Sequence, residues 1–192
     1  HPLKIRNEIW NAKTKTVKIF GARNETVAFQ LVLQGGAVDS TLEIKFDGVG
    51  PVKNGALNNV DPNRYYLNRN VEIFEEGFLN VKTVSKDLAF KSGTSSEPKK
   101  MLGWLPDILR PLTKAVTVKK DQNTILWFDL YIPKGADPGD YTSYINIVSP
   151  AKGSEQFKTR IKVKLKILKA TISDEPLAKT MLWFSGGKTK YG

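Results

Sequence analysis

The chain has 192 residues, a formal charge of +11, no cysteine and a single histidine, His1. This excludes a disulfide framework, thiolate catalysis and Cys-ligated metal, and with the one His at a terminus no triad, His metal cage or His general base is expected. Its content of 40% hydrophobic and 26% charged residues is that of a globular protein, and the length fits one large or two small domains at roughly 150 residues each.

No apolar run is long enough for a membrane-spanning helix. No charged and apolar leader opens the chain, which begins at His1-Pro2 and stops at Tyr191-Gly192, so it reads as an excised piece or mature fragment.

Period-two alternation predicts strands throughout. Thr16 to Phe20 is a short alternating run, and Gly21-Ala22-Arg23-Asn24 reads as a turn. In the next strand Val27, Phe29, Leu31 and Leu33 share one face, and Gly35-Gly36 ends it. Thr41 to Phe46 alternates again, with Leu42, Ile44 and Phe46 on one side. Asp47 to Asn63 is rich in Gly, Asn, Asp and Pro and reads as loop with at most one short strand. Tyr65 to Phe74 and Phe78 to Val84 are further strands, and Lys86 to Lys100 is a polar surface loop. Gly103 to Leu112 holds Pro106 and Pro111, which cost a strand its ladder bonds, so an ordered coil is expected there.

Thr124 to Ile132 and Tyr141 to Val148 flank a turn-forming segment from Pro133 to Asp140. If they form a hairpin with Ile132 opposite Tyr141, one face carries Leu126, Phe128, Leu130 and Ile132 beside Tyr141, Ser143, Ile145 and Ile147, the core side. The other face then gathers Trp127, Asp129 and Tyr131 beside Tyr144 and Asn146. Aromatic rings with adjacent amide and carboxylate groups can stack on and hydrogen-bond a sugar, so these five form a candidate carbohydrate-binding patch. The competing expectation is that they are ordinary sheet residues covered by a loop or a neighbouring domain. Asp137-Pro138-Gly139-Asp140-Tyr141 has the pattern of a tyrosine corner, whose hydroxyl ties a crossover between sheets. A turn is expected at Ala151 to Ser154.

Between Phe157 and Leu168, Lys158, Arg160, Lys162, Lys164 and Lys166 alternate with apolar residues. Without aromatics among the cations, this stripe reads as a solvated strand face that discourages edge pairing, and no nucleic-acid partner is expected. In the tail, Met181-Leu182-Trp183-Phe184 is a short apolar run.

Chemistry-bearing constellations are sparse. Glu75-Glu76 and Asp174-Glu175 are adjacent pairs, and neighbours on a strand point to opposite faces, so neither pair forms a glycosidase site. Gly186-Gly187-Lys188-Thr189 lacks the upstream glycine of a phosphate-binding loop. Asn24-Glu25-Thr26 is a glycosylation sequon. No catalytic residue, metal ligand or cofactor is assigned. The fold class expected from these patterns is all-β, a sandwich of about eight to ten short strands.

Three segments together resemble a known family. Gly21-Ala22-Arg23-Asn24-Glu25-Thr26-Val27-Ala28-Phe29-Gln30-Leu31-Val32-Leu33 is similar to the opening of the β-sandwich domain that precedes the barrel in glycoside hydrolase family 123-like proteins. Trp104-Leu105-Pro106-Asp107-Ile108-Leu109-Arg110-Pro111 resembles a proline-bracketed segment of that domain, although Ile108 stands where Pro is frequent. Trp127-Phe128-Asp129-Leu130-Tyr131-Ile132-Pro133 with Pro138-Gly139-Asp140-Tyr141-Thr142 resembles a third, with Ser143 where Gly is frequent.

The resemblance runs from about Gly21 to Leu168. It implies an all-β, two-layer immunoglobulin-like sandwich with a long, partly irregular insertion over residues 1–172, and a tail over 173–192 that leads to, or begins, a downstream catalytic barrel. It also implies a non-catalytic role beside that barrel, action on glycans, and a secreted, periplasmic or cell-surface bacterial protein. The alternative reading is an independent carbohydrate-binding module.

Overall fold

A computed structural model of the chain describes residues 2–53, 70–82, 102–112, 115–150 and 158–175. The expected surface loop at Lys86 to Lys100, the turn at Ala151 to Ser154, and the apolar run Met181 to Phe184 lie outside the described residues.

After a 3₁₀ turn over Pro2–Lys4 come β1 (Trp10–Asn11), β2 (Thr16–Arg23), β3 (Glu25–Gln34) and β4 (Ser40–Lys45). They are followed by β5 (Gly48–Val49), β6 (Val52–Lys53), β7 (Val71–Val81) and β8 (Gly103–Pro111). β9 (Val116–Val118), β10 (Asn123–Ile132), β11 (Gly139–Val148) and β12 (Lys158–Thr171) complete the described strands. Six form one sheet in the order β1-β2-β12-β11-β4-β9, and four form the other in the order β3-β10-β7-β8. Every pairing within them is antiparallel except β2 with β12.

The two sheets bury their inward rows against each other, making an all-β, two-layer sandwich of the immunoglobulin-like kind. From the four-stranded sheet come Phe29, Leu126, Phe128, Leu130 and Ile132; from the six-stranded sheet come Val17, Ile145, Ile147, Val163 and Leu165. Phe29 stacks on Phe128 with ring centroids 4.9 Å apart, and Phe46, which follows β4, meets Phe128 edge-on at 6.2 Å. The β5–β6 hairpin adds Val49 and Val52 to the same core.

Five expectations are corrected. First, β10 and β11 are not a hairpin. Ile132 is opposite Glu25 of β3, and Tyr141 is opposite Leu165 of β12. The segment between them crosses from one sheet to the other, and the Tyr141 hydroxyl donates 2.8 Å to the Asp137 carbonyl, as a tyrosine corner should. The two apolar rows therefore face one another across the core rather than lying side by side.

Second, Gly103–Pro111 is a strand and not a coil. It occupies the sheet's edge, where a missing ladder donor is tolerated, and the register shift opposite Gly77/Phe78 absorbs its irregularity. Third, the break expected between Phe74 and Phe78 is absent, since β7 runs unbroken through Glu75-Glu76-Gly77.

Fourth, β2 extends to Arg23, so the turn is a single residue, Asn24, at φ 63°. Gly21 serves close packing instead: a Cβ there would sit 2.5 Å from Val27 Cγ1 and 2.7 Å from Ile132 Cδ1. The cationic strand β12 also lies inside its sheet, between β2 and β11. Its lysines line a solvated face and guard no edge.

Candidate functional site

The crossover between β10 and β11 divides the five candidate residues. Trp127, Asp129 and Tyr131 lie on the outer face of the four-stranded sheet, because their neighbours Leu126, Phe128, Leu130 and Ile132 point into the core. Tyr144 and Asn146 lie on the outer face of the six-stranded sheet, beside the inward Ile145 and Ile147. The two groups stand on opposite outsides of the sandwich, so they do not make one patch.

The first group is tied up internally. The Trp127 indole Nε1 donates 2.6 Å to Asp129 Oδ1, and the Tyr131 hydroxyl donates 2.7 Å to Asn24 Oδ1. All three side chains are half-buried. In the second group the Arg160 guanidinium lies 4.0 Å from the centre of the Tyr144 ring, with Lys162 at 6.0 Å. Asn146 sits between Lys45 and Arg160 in the ladder. A cation over an aromatic face occupies the surface that a sugar would stack on.

Sequence reasoning missed the cluster around Asn24. Its left-handed backbone turns the chain from one sheet to the other, a conformation that Asn tolerates better than most residues. Its side-chain amide donates to the Ile172 carbonyl at 3.0 Å and to Asp174 Oδ1 at 2.7 Å. Lys134 closes the cluster by pairing with the other Asp174 oxygen. That ammonium hydrogen-bonded to Asp174, with the Asn24 amide, holds the carboxyl below its ordinary value. Glu25 adds a 2.6 Å bond from the Ala22 amide. The signal was the motif itself, since Gly21, Asn24 and Glu25 each perform a backbone task that another residue type performs poorly. The sequon asparagine is thus a working part of the fold.

The adjacent acids separate as strand geometry requires. Glu75 pairs with Arg110 at 3.1 Å, while buried Glu76 accepts 2.7 Å from Gln30 Nε2 on the other face. Among the described residues, no group of three or more His, Cys, Asp or Glu side chains is arranged to hold a metal.

The two outer faces differ in chemistry. That of the six-stranded sheet carries Arg160, Lys162, Lys164 and Lys166, with Lys18 alongside Lys164. That of the four-stranded sheet carries Val32, Ile125, Trp127 and Phe74, and continues into the β7–β8 arm. There Phe78, Leu79, Trp104, Ile108 and Leu109 are all exposed, Trp104 to 68%.

No protein-family model matches the chain, and no curated protein matches it. Solved structures do. One is a family 123 glycoside hydrolase from Clostridium perfringens, studied for glycolipid glycan hydrolysis, with a TM-score of 0.52 and 14% identity over 81% of this chain. Another is the ASH/PapD-like domain of human CEP192 (PapD-like domain 7), with a TM-score of 0.40 and 13% identity, covering 82% of this chain and 83% of that one. At these identities the first likeness speaks to fold alone, and the chain spans only 23% of the hydrolase it matches.

Proposed function

We propose that this chain is a non-catalytic β-sandwich accessory domain of a glycoside-hydrolase-like protein, packed against a downstream catalytic domain of the same polypeptide. The observation that carries the reading is the asymmetry of the two outer faces. One is a lysine-rich, solvated surface; the other mixes aliphatic and aromatic side chains with the acids Glu72, Asp129 and Glu76 and runs into an exposed apolar arm. A two-stranded ribbon with apolar side chains on both faces is marginal in water and gains stability when covered.

The chain exit supports the same geometry. Ile172 to Asp174 are held at Asn24, beside Tyr131 and thus at one end of this face, while the arm projects from the other end. A domain following residue 175 and lying along the four-stranded sheet would meet both. The matched chain is a hydrolase of glycolipid glycans of which this fold makes up a minor part, which supports a partner domain that acts on glycans.

The rival reading, an independent glycan-binding module, would use Trp127, Asp129 and Tyr131 on that same face. Their polar atoms already satisfy one another and Asn24, which weighs against it. The test is hydrogen exchange on this chain alone and on the polypeptide encoded by its full reading frame. Protection gained on β3, β7, β8 and β10 but not on β12 supports the accessory reading. A reading frame that stops at residue 192, retention of the isolated chain on a glycan array, or its turnover of aryl N-acetylhexosaminides would overturn it.

A further inference from the structure

The sandwich is not closed along its whole length. Where β3 runs past the short strand β1, the two sheets leave an open pocket of about 620 Å³ between them. This lies within the roughly 300–1,000 Å³ typical of small-molecule sites. Leu31 and Leu33 come from one wall, and Trp10, Leu42, Ile147 and Ile161 from the other. Leu31 and Leu33 have the same inward orientation as buried Phe29, yet both remain half-buried at the margin of the core they pack against, where they face this pocket. They line the space rather than filling it.

The mouth is cationic. Lys15 lines it, and its ammonium donates 2.9 Å to the Thr159 hydroxyl. Lys4 reaches the rim residue Gln34, donating 2.7 Å to its side-chain carbonyl. Among the described residues neither ammonium has a carboxylate partner, so both charges stand uncompensated beside an apolar chamber. The pocket floor is also fixed, since the Trp10 indole donates 3.0 Å to the Lys4 carbonyl.

We propose that this inter-sheet pocket binds an amphipathic carboxylate of the fatty-acid type, its hydrocarbon between Leu31, Leu33 and Ile161 and its carboxylate at Lys15 and Lys4. Burying the hydrocarbon removes apolar surface from water on ligand and walls alike. The lysines replace neutral partners with a charge-assisted one. The site does not depend on the accessory role: its apolar walls come from the inner side of β3, and it shares only the edge residue Val32 with the proposed docking face.

The test is calorimetric titration of the whole chain with dodecanoate and with dodecanol, below micelle formation, with methyl NMR to locate the ligand. One saturable site for dodecanoate is expected, with shifts on Leu31, Leu33, Leu42 and Ile161. Leu33→Trp, which fills the chamber, should weaken binding about tenfold or more. Ser40→Phe makes the same test from the opposite wall should Leu33→Trp not fold. Lys15→Glu should weaken dodecanoate about fivefold or more and leave dodecanol unchanged. Absence of a saturable site, shifts confined to the β7–β8 arm, or binding indifferent to the filling substitution in a folded variant would each overturn the proposal.

Discussion

Asn24 does four things at one position. It adopts φ 63°, accepts from Tyr131, and donates to Ile172 and Asp174, so it joins the β2–β3 turn, β10 and the end of β12. Asn24→Gly keeps the backbone conformation and loses the side-chain bonds, so urea denaturation should show a loss of about 1–2 kcal/mol. Asn24→Ala should cost about 1 kcal/mol more, because alanine resists the left-handed region. Equal losses for the two would mean that the backbone is not held there. The same cluster sets a pH dependence. The Lys134 hydrogen bond, then the Asn24 bond, lower the Asp174 value from 3.8. A folded-state value below the unfolded one gives stability that is present above pH 3.8 and withdrawn as pH falls through the depressed value. Asp174 is exposed, so the effect is small. Carboxyl NMR titration should find Asp174 still ionised where unpaired aspartates have protonated, and Lys134→Ala should move it most of the way back, the Asn24 bond remaining.

At the level of elements, the crossover after β10 decides the topology. The Tyr141 hydroxyl closes a four-residue span onto Asp137, and its ring lies against Gly50 in the β5–β6 turn, where a Cβ would come within 2.4 Å of the ring. Tyr141→Phe keeps the ring and removes one bond, so thermal unfolding should report a loss of about 1 kcal/mol with sheet content unchanged. No change would mean that the hydroxyl is satisfied equally well by water. This crossover also marks where the sequence stops being legible. Alternation placed β2, β3, β4, β10, β11 and β12 and identified their inward rows, since period two fixes faces within a strand. It carries no information about which strands pair. An eight-residue segment rich in Pro, Gly and Asp, Pro133 to Asp140, fits a hairpin as well as a sheet-to-sheet crossing, and the wrong choice gathered Trp127 with Tyr144. The tyrosine corner was visible in Asp137 to Tyr141 and pointed to the right answer. β8 was hidden for another reason. Pro106 and Pro111 argue against a central strand, but only the full sheet order shows that β8 is at the edge.

For the whole molecule, the charge of +11 is unevenly spread, and its placement bears on function more than its size. Lys18 and Lys164 are direct partners in the β2–β12 ladder, and Arg160, Lys162 and Lys166 share that face. Like charges across a ladder cost a few tenths of a kcal/mol and are tolerable because solvent surrounds them. A face kept wet at that cost is poorly suited to docking, since desolvating several ammonium groups outweighs what an exposed pairing returns. The opposite face carries a smaller penalty: Val32 is 52% exposed and Trp104 68%, and its acids Asp129 and Glu76 already hold internal hydrogen bonds. This sets up a paired prediction in the full-length polypeptide. On the proposed docking, Lys162→Glu with Lys164→Glu should leave stability within about 0.5 kcal/mol and leave contact between the domains intact, because Lys164 is exposed, Lys162 is half-buried, and both lie on the face opposite the apolar one. Val32→Lys with Trp104→Lys should also spare the isolated chain, as both side chains already meet water. In the polypeptide, however, it should separate the domains, read as faster limited proteolysis after residue 175 and a larger radius of gyration in solution scattering. If the lysine-face pair separates the domains and the apolar-face pair does not, the partner sits on the wet side and the assignment of faces is reversed.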